Sequence, residues 1–389
     1  MKMEDIYIMK LAKAAIFNYT LEKTDEELNW NYIYEKSVEQ NISGLLYCAV
    51  NGVEWDIDEK LLSKWHKDLI GTVMLMNSRY NEFLNIYKKL KKNNIEPLGF
   101  KGCVIRNLYP VPELRTMGDF DILVENDEIN RVARIFKSEG YDVVNDGFGI
   151  VCKNEKTYWE IFRTVEDEFR VNTEKWNEVF RKEVMYENDI KCPTPTYFLI
   201  HLIIHMSKHC VRSGAGIRNL CDIALYISKY KKEIDFDLVE KACLEQGFRT
   251  VYYYTIDTMK KWFDVDTSGI RYEEKNCDKF IEYALLNGIF GKQDNSLVAQ
   301  ITKHEDDSID GLRKIFFPGV KILEHKYTYL KKFPLLLPVA WIHRLINGVF
   351  KWKYSIRQMS GDMIGAVEYS KERLKWLEEL GLTDELKNK

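Results

Sequence analysis

Apolar positions recur every three to four residues through the first 92 residues, which predicts helices throughout that region. Ile6, Met9, Leu11 and Ala15 open the pattern, and Leu61, Leu62, Trp65, Leu69 and Val73 carry it on. Phe83, Ile86, Tyr87 and Leu90 then lie on one face of a segment ending in Lys91-Lys92-Asn93-Asn94, where basic residues oppose the helix dipole. The period changes beyond Asn94. Ile95 to Phe100 reads as a brief strand, Phe120 to Val124 as a second, and Tyr141 to Val144 and Tyr158 to Val165 as two more. Between them Ile129, Val132, Ala133 and Phe136 form a helical face, with Asp127 placed to cap it and Gly140 to stop it. From Pro193 the helical period returns in Thr196–Cys210, Arg218–Tyr230, Phe236–Gln246 and Val251–Phe263.

These changes of period predict an α+β protein, with a small mixed β-sheet core flanked by N-terminal and C-terminal helical segments. The expected domains are an N-terminal helical region (1–92), an α/β core (93–190), a helical domain closing a cleft (191–304) and a C-terminal helical region (305–389). Glu305 to Asp310 has the character of a linker, and Met363 to Leu386 that of a terminal helix. Repeats and low-complexity tracts are absent from the sequence.

Composition narrows the class without naming a function. A formal net charge of -3 over 389 residues gives no overall basic field for a polynucleotide. The eight cysteines form no C-x-x-C pair, which argues against a zinc ribbon or redox motif and suits free thiols in a reducing compartment. Met1 to Lys13 lacks the apolar run of a signal peptide. The most apolar stretch, Phe333 to Ile342, is too short for a membrane span and holds Pro334 and Pro338. A cytoplasmic protein is expected.

The chemistry concentrates in Gly99-Phe-Lys-Gly-Cys103 and Arg115-Thr-Met-Gly-Asp-Phe-Asp-Ile-Leu-Val124. Strand alternation puts Asp119 and Asp121 on one face, their Cα atoms about 7 Å apart, with Phe120, Ile122 and Val124 on the other. Two such carboxylates need a cation to coexist, and Mg²⁺ or Mn²⁺ with nucleotide phosphates fits that need. Gly102 would let the backbone approach a phosphate, the amides from Cys103 onward would donate to it, and Lys101 and Arg115 would clamp the triphosphate. Glu160 sits inside the aromatic and apolar run Tyr158-Trp-Glu-Ile-Phe162, so it is the candidate third metal ligand or general base. Glu166, Asp167 and Glu168 are its rivals, clustered as a loop would be.

The Lys-Gly turn, the arginine and Asp-Phe-Asp-Ile-Leu-Val resemble the uncharacterised nucleotidyltransferase family of the DNA polymerase β-like nucleotidyltransferase superfamily. That resemblance matches Gly102, Asp119, Asp121 and Glu160 to the glycine turn, the Asp-x-Asp pair and the separate third acid. Leu199 to Asp222 and Asn287-Gly-Ile-Phe-Gly291 look like further elements of the family. It implies the fold and the reaction class, a metal-dependent transfer of a nucleoside monophosphate from an NTP, but not the acceptor, for which a small molecule and a protein are both open. One departure is Cys103, which stands where many superfamily members have Gly or Ser, so a hydroxyl contact to phosphate is missing. A nucleotide-binding module without catalysis, and a toxin-like or antibiotic-modifying transferase, are the alternatives on the same fold.

Three other groups keep two readings each. His201, His205 and His209 share a helix face and either chelate zinc or line a cleft through hydrogen bonds; the lack of an adjacent acid on that face favours the cleft. Arg218 and Asp222, one helical turn apart, either form a surface ion pair or present an arginine to the nucleotide or acceptor with Asp222 holding it. Lys326 to Lys353 is aromatic and basic, which suits an amphipathic helix pair packed on the core or a membrane or partner surface.

Overall fold

The computed structural model describes residues 1–145, 149–166, 168–169, 171–212, 214–287, 319–323, 327–343 and 372–382. Two compact units are present, one of residues 1–210 and 214–289, the other of 211–213 and 290–389.

The first unit opens with α1 (Met3–Phe17), α2 (Trp30–Glu39), α3 (Ser43–Val50) and the 34-residue α4 (Glu59–Lys92). Asp58 starts α4 by accepting from the amides of Lys60 and Leu61, and Asn94 ends the turn beyond it in the left-handed region. The two sequence stretches that read separately as helical, around Trp65 and around Phe83, are thus one continuous rod. Buried Gln40 ties three helices together: its amide donates to the carbonyls of Ala284 and Leu285, and its oxygen accepts from the Ile217 amide.

A five-stranded sheet follows in the order β1-β2-β5-β4-β3, from β1 (Leu98–Gly99), β2 (Phe120–Leu123), β3 (Asp142–Asn145), β4 (Gly149–Lys153) and β5 (Tyr158–Phe162). Strands β2 and β5 run parallel and every other pair is antiparallel, so the sheet is mixed. Helix α6 (Ile129–Ser138) joins β2 to β3 and stops at Gly140, whose φ of +81° suits a residue without Cβ. Asp127 does not cap α6. Glu128 precedes the helix, and its side chain accepts from the Glu125 amide instead.

One face of the sheet is an aromatic core. Phe83 of α4 stacks on Phe120 at 4.8 Å and on Trp159 at 5.2 Å, while Phe136 of α6 meets Trp159 edge-on. Sequence alternation therefore sends Asp121, Leu123, Glu160 and Phe162 to the other face. That face looks toward α7 (Thr173–Lys182) and α8 (Pro195–Arg212), where Phe100, Phe169 and Phe180 surround His201. Neither α7 nor β4 nor the hairpin β6 (Val184–Glu187) with β7 (Ile190–Pro193) is among the elements read from the sequence. Helices α9 (Ile217–Tyr230), α10 (Phe236–Glu245), α11 (Arg249–Phe263) and α12 (Cys277–Asn287) complete the unit.

In the second unit, α13 (Val320–Leu323) and helical segments over 337–343 and 372–379 are described. Leu323, Tyr327, Leu330 and Ala340 form a small buried cluster there. The linker read at Glu305–Asp310, residues 288–291 of the family-like element, residues 326 and 344–353 of the aromatic and basic stretch, and 363–371 and 383–386 of the expected terminal helix lie outside the described residues. Among the described residues no helix is long and apolar enough to cross a membrane.

Candidate active site

Parallel pairing sets Asp121 directly beside Glu160 in the register of β2 and β5, and Asp119 lies just ahead of β2. Ligand oxygens of all three acids fall within 4.8 Å of one another. Asp119 is exposed, Glu160 half-buried and Asp121 only 4% exposed, so the cluster is an edge opening to solvent with one acid at its floor. Burial, and then the charge of Asp119, push the Asp121 carboxyl up to about 6 against the pull of Lys101. Three carboxylates drawn this close repel one another, and a cation among them would relieve that repulsion. Their donor set, hard carboxylate oxygens alone, is the kind that Mg²⁺ or Mn²⁺ takes.

Lys101 connects β1 to α5 (Gly102–Ile105) with a positive φ of 52°, a strained backbone for a residue with a side chain. Its Nζ donates to Asp121 Oδ1 at 2.8 Å. Burial disfavours the ammonium, but Asp121, Glu168 and Asp119 outweigh it and hold the group above its usual range. Lys101 is therefore engaged with the acids.

Close packing requires a glycine at position 102. A Cβ at that position would stand 2.3 Å from Arg115 Nη1 and 2.5 Å from Met117 Sδ. Cys103 turns inward: Sγ donates to the Phe100 carbonyl at 2.9 Å, and burial raises the thiol far above its usual range. Its side chain is closed to a phosphate, which leaves only the backbone amide for that task.

Arg115 and Asp222, both expected to bind nucleotide, are bonded to each other. Arg115 Nε and Nη2 reach Asp222 Oδ1 and Oδ2 at 3.2 and 2.6 Å, and the Tyr109 hydroxyl donates to Oδ1 at 2.7 Å. All three side chains are buried. A bidentate pair so enclosed braces the turn preceding β2. Asp222 also does not pair with Arg218 on a surface, as their helical spacing suggested. Arg218 instead donates through Nη1 to the Thr116 carbonyl at 2.7 Å, and its buried Nε has no hydrogen-bond partner among the described residues. Burial and then the like charge of Arg115 pull the Arg218 guanidinium down to about 10. An anion beside it would relieve both penalties.

The structure supplies an acid missing from the sequence reading of the histidine face. Glu168, a residue after β5 read as a loop rival to Glu160, accepts from His205 Nδ1 at 2.8 Å and pairs with Lys208 Nζ at 3.0 Å. His205 Nε2 in turn lies 3.1 Å from His209 Nε2. His201 lies beside this row, its ring stacked on Phe100 at 4.4 Å and parallel to that of His205 at 6.1 Å. Only the contact order brings Glu168 there, because no periodicity links residue 168 to residue 205. Of its two loop neighbours, Glu166 is exposed and Asp167 lies outside the described residues. A cavity of about 20 Å³, room for one water, separates Asp121 and Lys101 from Glu168 and His201.

No curated protein matches the chain. Among solved structures it is similar to the antibiotic-resistance factor ANT(2'')-Ia, at 11% identity and a TM-score of 0.34, over 45% of this chain and 94% of the other. The family model described as uncharacterised nucleotidyltransferase matches residues 26–264. That span takes in α2 to α11, the whole mixed sheet and the three converging acids, and it makes this chain a member of the uncharacterised nucleotidyltransferase family, a transferase of nucleotidyl groups.

Proposed function

We propose that the chain moves a nucleoside monophosphate from an NTP to an acceptor hydroxyl or phosphate with the help of a divalent metal ion, releasing pyrophosphate. The observation that carries this reading is the convergence of Asp119, Asp121 and Glu160 within 4.8 Å. Oxygens on an octahedral Mg²⁺ stand about 2.9 Å apart when adjacent and about 4.2 Å apart when opposite. Small side-chain rotations would bring these three acids to that spacing. Bound there, Mg²⁺ or Mn²⁺ would neutralise charge developing on the phosphates during displacement at the α-phosphorus.

The residues of the chain divide the remaining work. Asp121 is held in place by Lys101, and Glu160 completes the oxygen set from the adjacent strand. Arg218 is the cation we assign to the triphosphate, because its guanidinium is fixed at one nitrogen and lacks a partner at another. Arg115 and Asp222 hold the Gly102 turn against the sheet. Free cysteines, all but Cys48 of them buried, suit a reducing compartment, and we place the protein in the cytoplasm.

The test is incubation with Mg²⁺ and each α-labelled NTP, alone and with cell extract. Transfer of label is expected from the wild type and not from Asp121→Asn. Label transfer that persists in Asp121→Asn refutes the site. Tight metal-independent nucleotide binding without transfer to any acceptor would replace the enzyme with a binding module.

A further inference from the structure

Lys101 shares one small cavity with two carboxylates and is bonded to one of them. The cavity of about 20 Å³ is lined by Lys101, Asp121, Glu168 and His201, together with apolar residues of the sheet. It has room for one water-sized group, and an ammonium is about that size. On one wall, Lys101 Nζ donates to Asp121 Oδ1 at 2.8 Å. The other wall offers acceptors. Glu168 Oε1 accepts from His205 Nδ1 at 2.8 Å. Glu168 Oε2 makes an ion-pair contact with Lys208 Nζ at 3.0 Å, yet accepts no aligned hydrogen bond among the described residues. His201 has a buried Nδ1 that likewise lacks a hydrogen-bond partner among the described residues. Burial opposes the charge of Glu168, but His205, Lys208 and Lys101 keep the carboxylate ionised. Burial also holds the His201 ring neutral, with a pKa pulled down to about 3, so it does not repel an arriving ammonium.

The carboxylate that Lys101 occupies belongs to the oxygen set suited to a divalent ion. An ion and an ammonium on the same buried carboxylate are like charges at short range, where solvent and salt screen them poorly. A lysine can escape this conflict, because its charge rides on a flexible four-carbon stem. A single ordered water filling the cavity is the competing reading, since it would satisfy the same acceptors and leave Lys101 on Asp121.

We propose that Lys101 is a mobile counter-ion: when a divalent metal ion binds Asp121, the ammonium crosses the cavity and settles on Glu168 Oε2, with His201 Nδ1 as a second acceptor. The proposal rests on the reading of the acid cluster as a metal-binding site. Lys101 and Glu168 are then positioning residues. Lys101 keeps Asp121 ionised and in place until the metal takes over that task. Glu168 provides the charge that receives the displaced ammonium, so metal binding at the sheet is passed on to α8 and to the loop after β5.

Titration of the full chain with Mn²⁺, following the free ion by electron paramagnetic resonance in the absence of nucleotide, tests the transfer. Lys101→Met should tighten Mn²⁺ binding about tenfold by removing the competing charge. Glu168→Gln should weaken Mn²⁺ binding about tenfold in the wild-type background and leave it about unchanged in the Lys101→Met background, because its cost arises from stranding the ammonium. Equal weakening in both backgrounds overturns the proposal, since a carboxylate acting only through its field treats the two alike. A crystal structure of the wild type soaked in Mn²⁺ gives an answer that depends on no variant. Nζ should lie within about 3.2 Å of Glu168 Oε2 and have left Asp121. Nζ still on Asp121 Oδ1 beside a bound ion overturns the proposal while leaving the metal site standing. Mn²⁺ that binds neither wild type nor Lys101→Met, or that binds Asp121→Asn as well as wild type, sinks the reading of the acid cluster itself, and the proposal with it.

Discussion

Replacing Asp222 with alanine tests whether the Arg115–Asp222 pair is a brace or a ligand site. Asp222 accepts three hydrogen bonds, two from Arg115 and one from Tyr109, inside a region where all three residues are buried. Removing one partner of such a pair strands the other charge in low dielectric, at a cost of about 3–5 kcal/mol. The Tyr109 hydroxyl, left without its acceptor, adds about 1 kcal/mol. Arg218 makes the loss worse, since its own charge is already crowded by Arg115. For a unit of this size about 2 °C of melting temperature accompanies each kcal/mol, so Asp222→Ala should melt about 8–12 °C below wild type. Urea unfolding followed by tryptophan fluorescence, with calorimetry beside it, gives both numbers. Asp222→Asn keeps the shape and some acceptors and should lose about half as much. The double variant Arg115→Met with Asp222→Leu should lose less than the two single changes added together, because no charge is stranded. An Asp222→Ala protein within 1 kcal/mol of wild type that nevertheless binds NTP weakly would refute the brace and return Asp222 to the ligand set.

Gly102→Ala should be disproportionately harmful. Its Cβ meets an arginine locked by Asp222, so neither can yield, and we expect about 1–3 kcal/mol of lost stability by urea midpoint together with loss of transfer. Cys103→Ser should leave KM for NTP within about threefold, because the side chain bonds the Phe100 carbonyl and faces away from any phosphate; a gain of tenfold or more would mean that a hydroxyl here does reach the nucleotide. Acid should destabilise the protein from pH 6.5 downward. Burial pulls His201 to about 3 and His209 to about 4, so the unfolded chain binds more protons across that window and stability falls as pH drops, by up to about 1.4 kcal/mol per pH unit for each ring. His209→Gln should flatten that slope between pH 6.5 and 4, and an unaltered slope would show that His209 is not buried in its neutral form.

Periodicity by itself determined the helices, because each needs a continuous apolar stripe and that stripe is written locally: α4, α6 and α8 to α11 follow from it. Alternation likewise put Asp119 and Asp121 on the face opposite Phe120, since a strand has only two faces to offer. Strand partners are a different matter. That β2 pairs in parallel with β5, setting Asp121 beside Glu160, depends on a connection through α6, β3 and β4 whose direction no local pattern encodes. The short elements β4, β6 and α7 escaped for a related reason: four to ten residues carry too few repeats for a period to stand out, and tertiary packing of Trp176 and Phe180 decides the matter. Charge partners were least legible of all. Arg115 with Asp222, 107 positions apart, and Glu168 with His205, 37 apart, are chosen by which side chains the fold buries together. Chemistry-bearing residues can be read from a chain one at a time; which of them is spent holding another in place is decided only when burial forces every charge to find its counterpart.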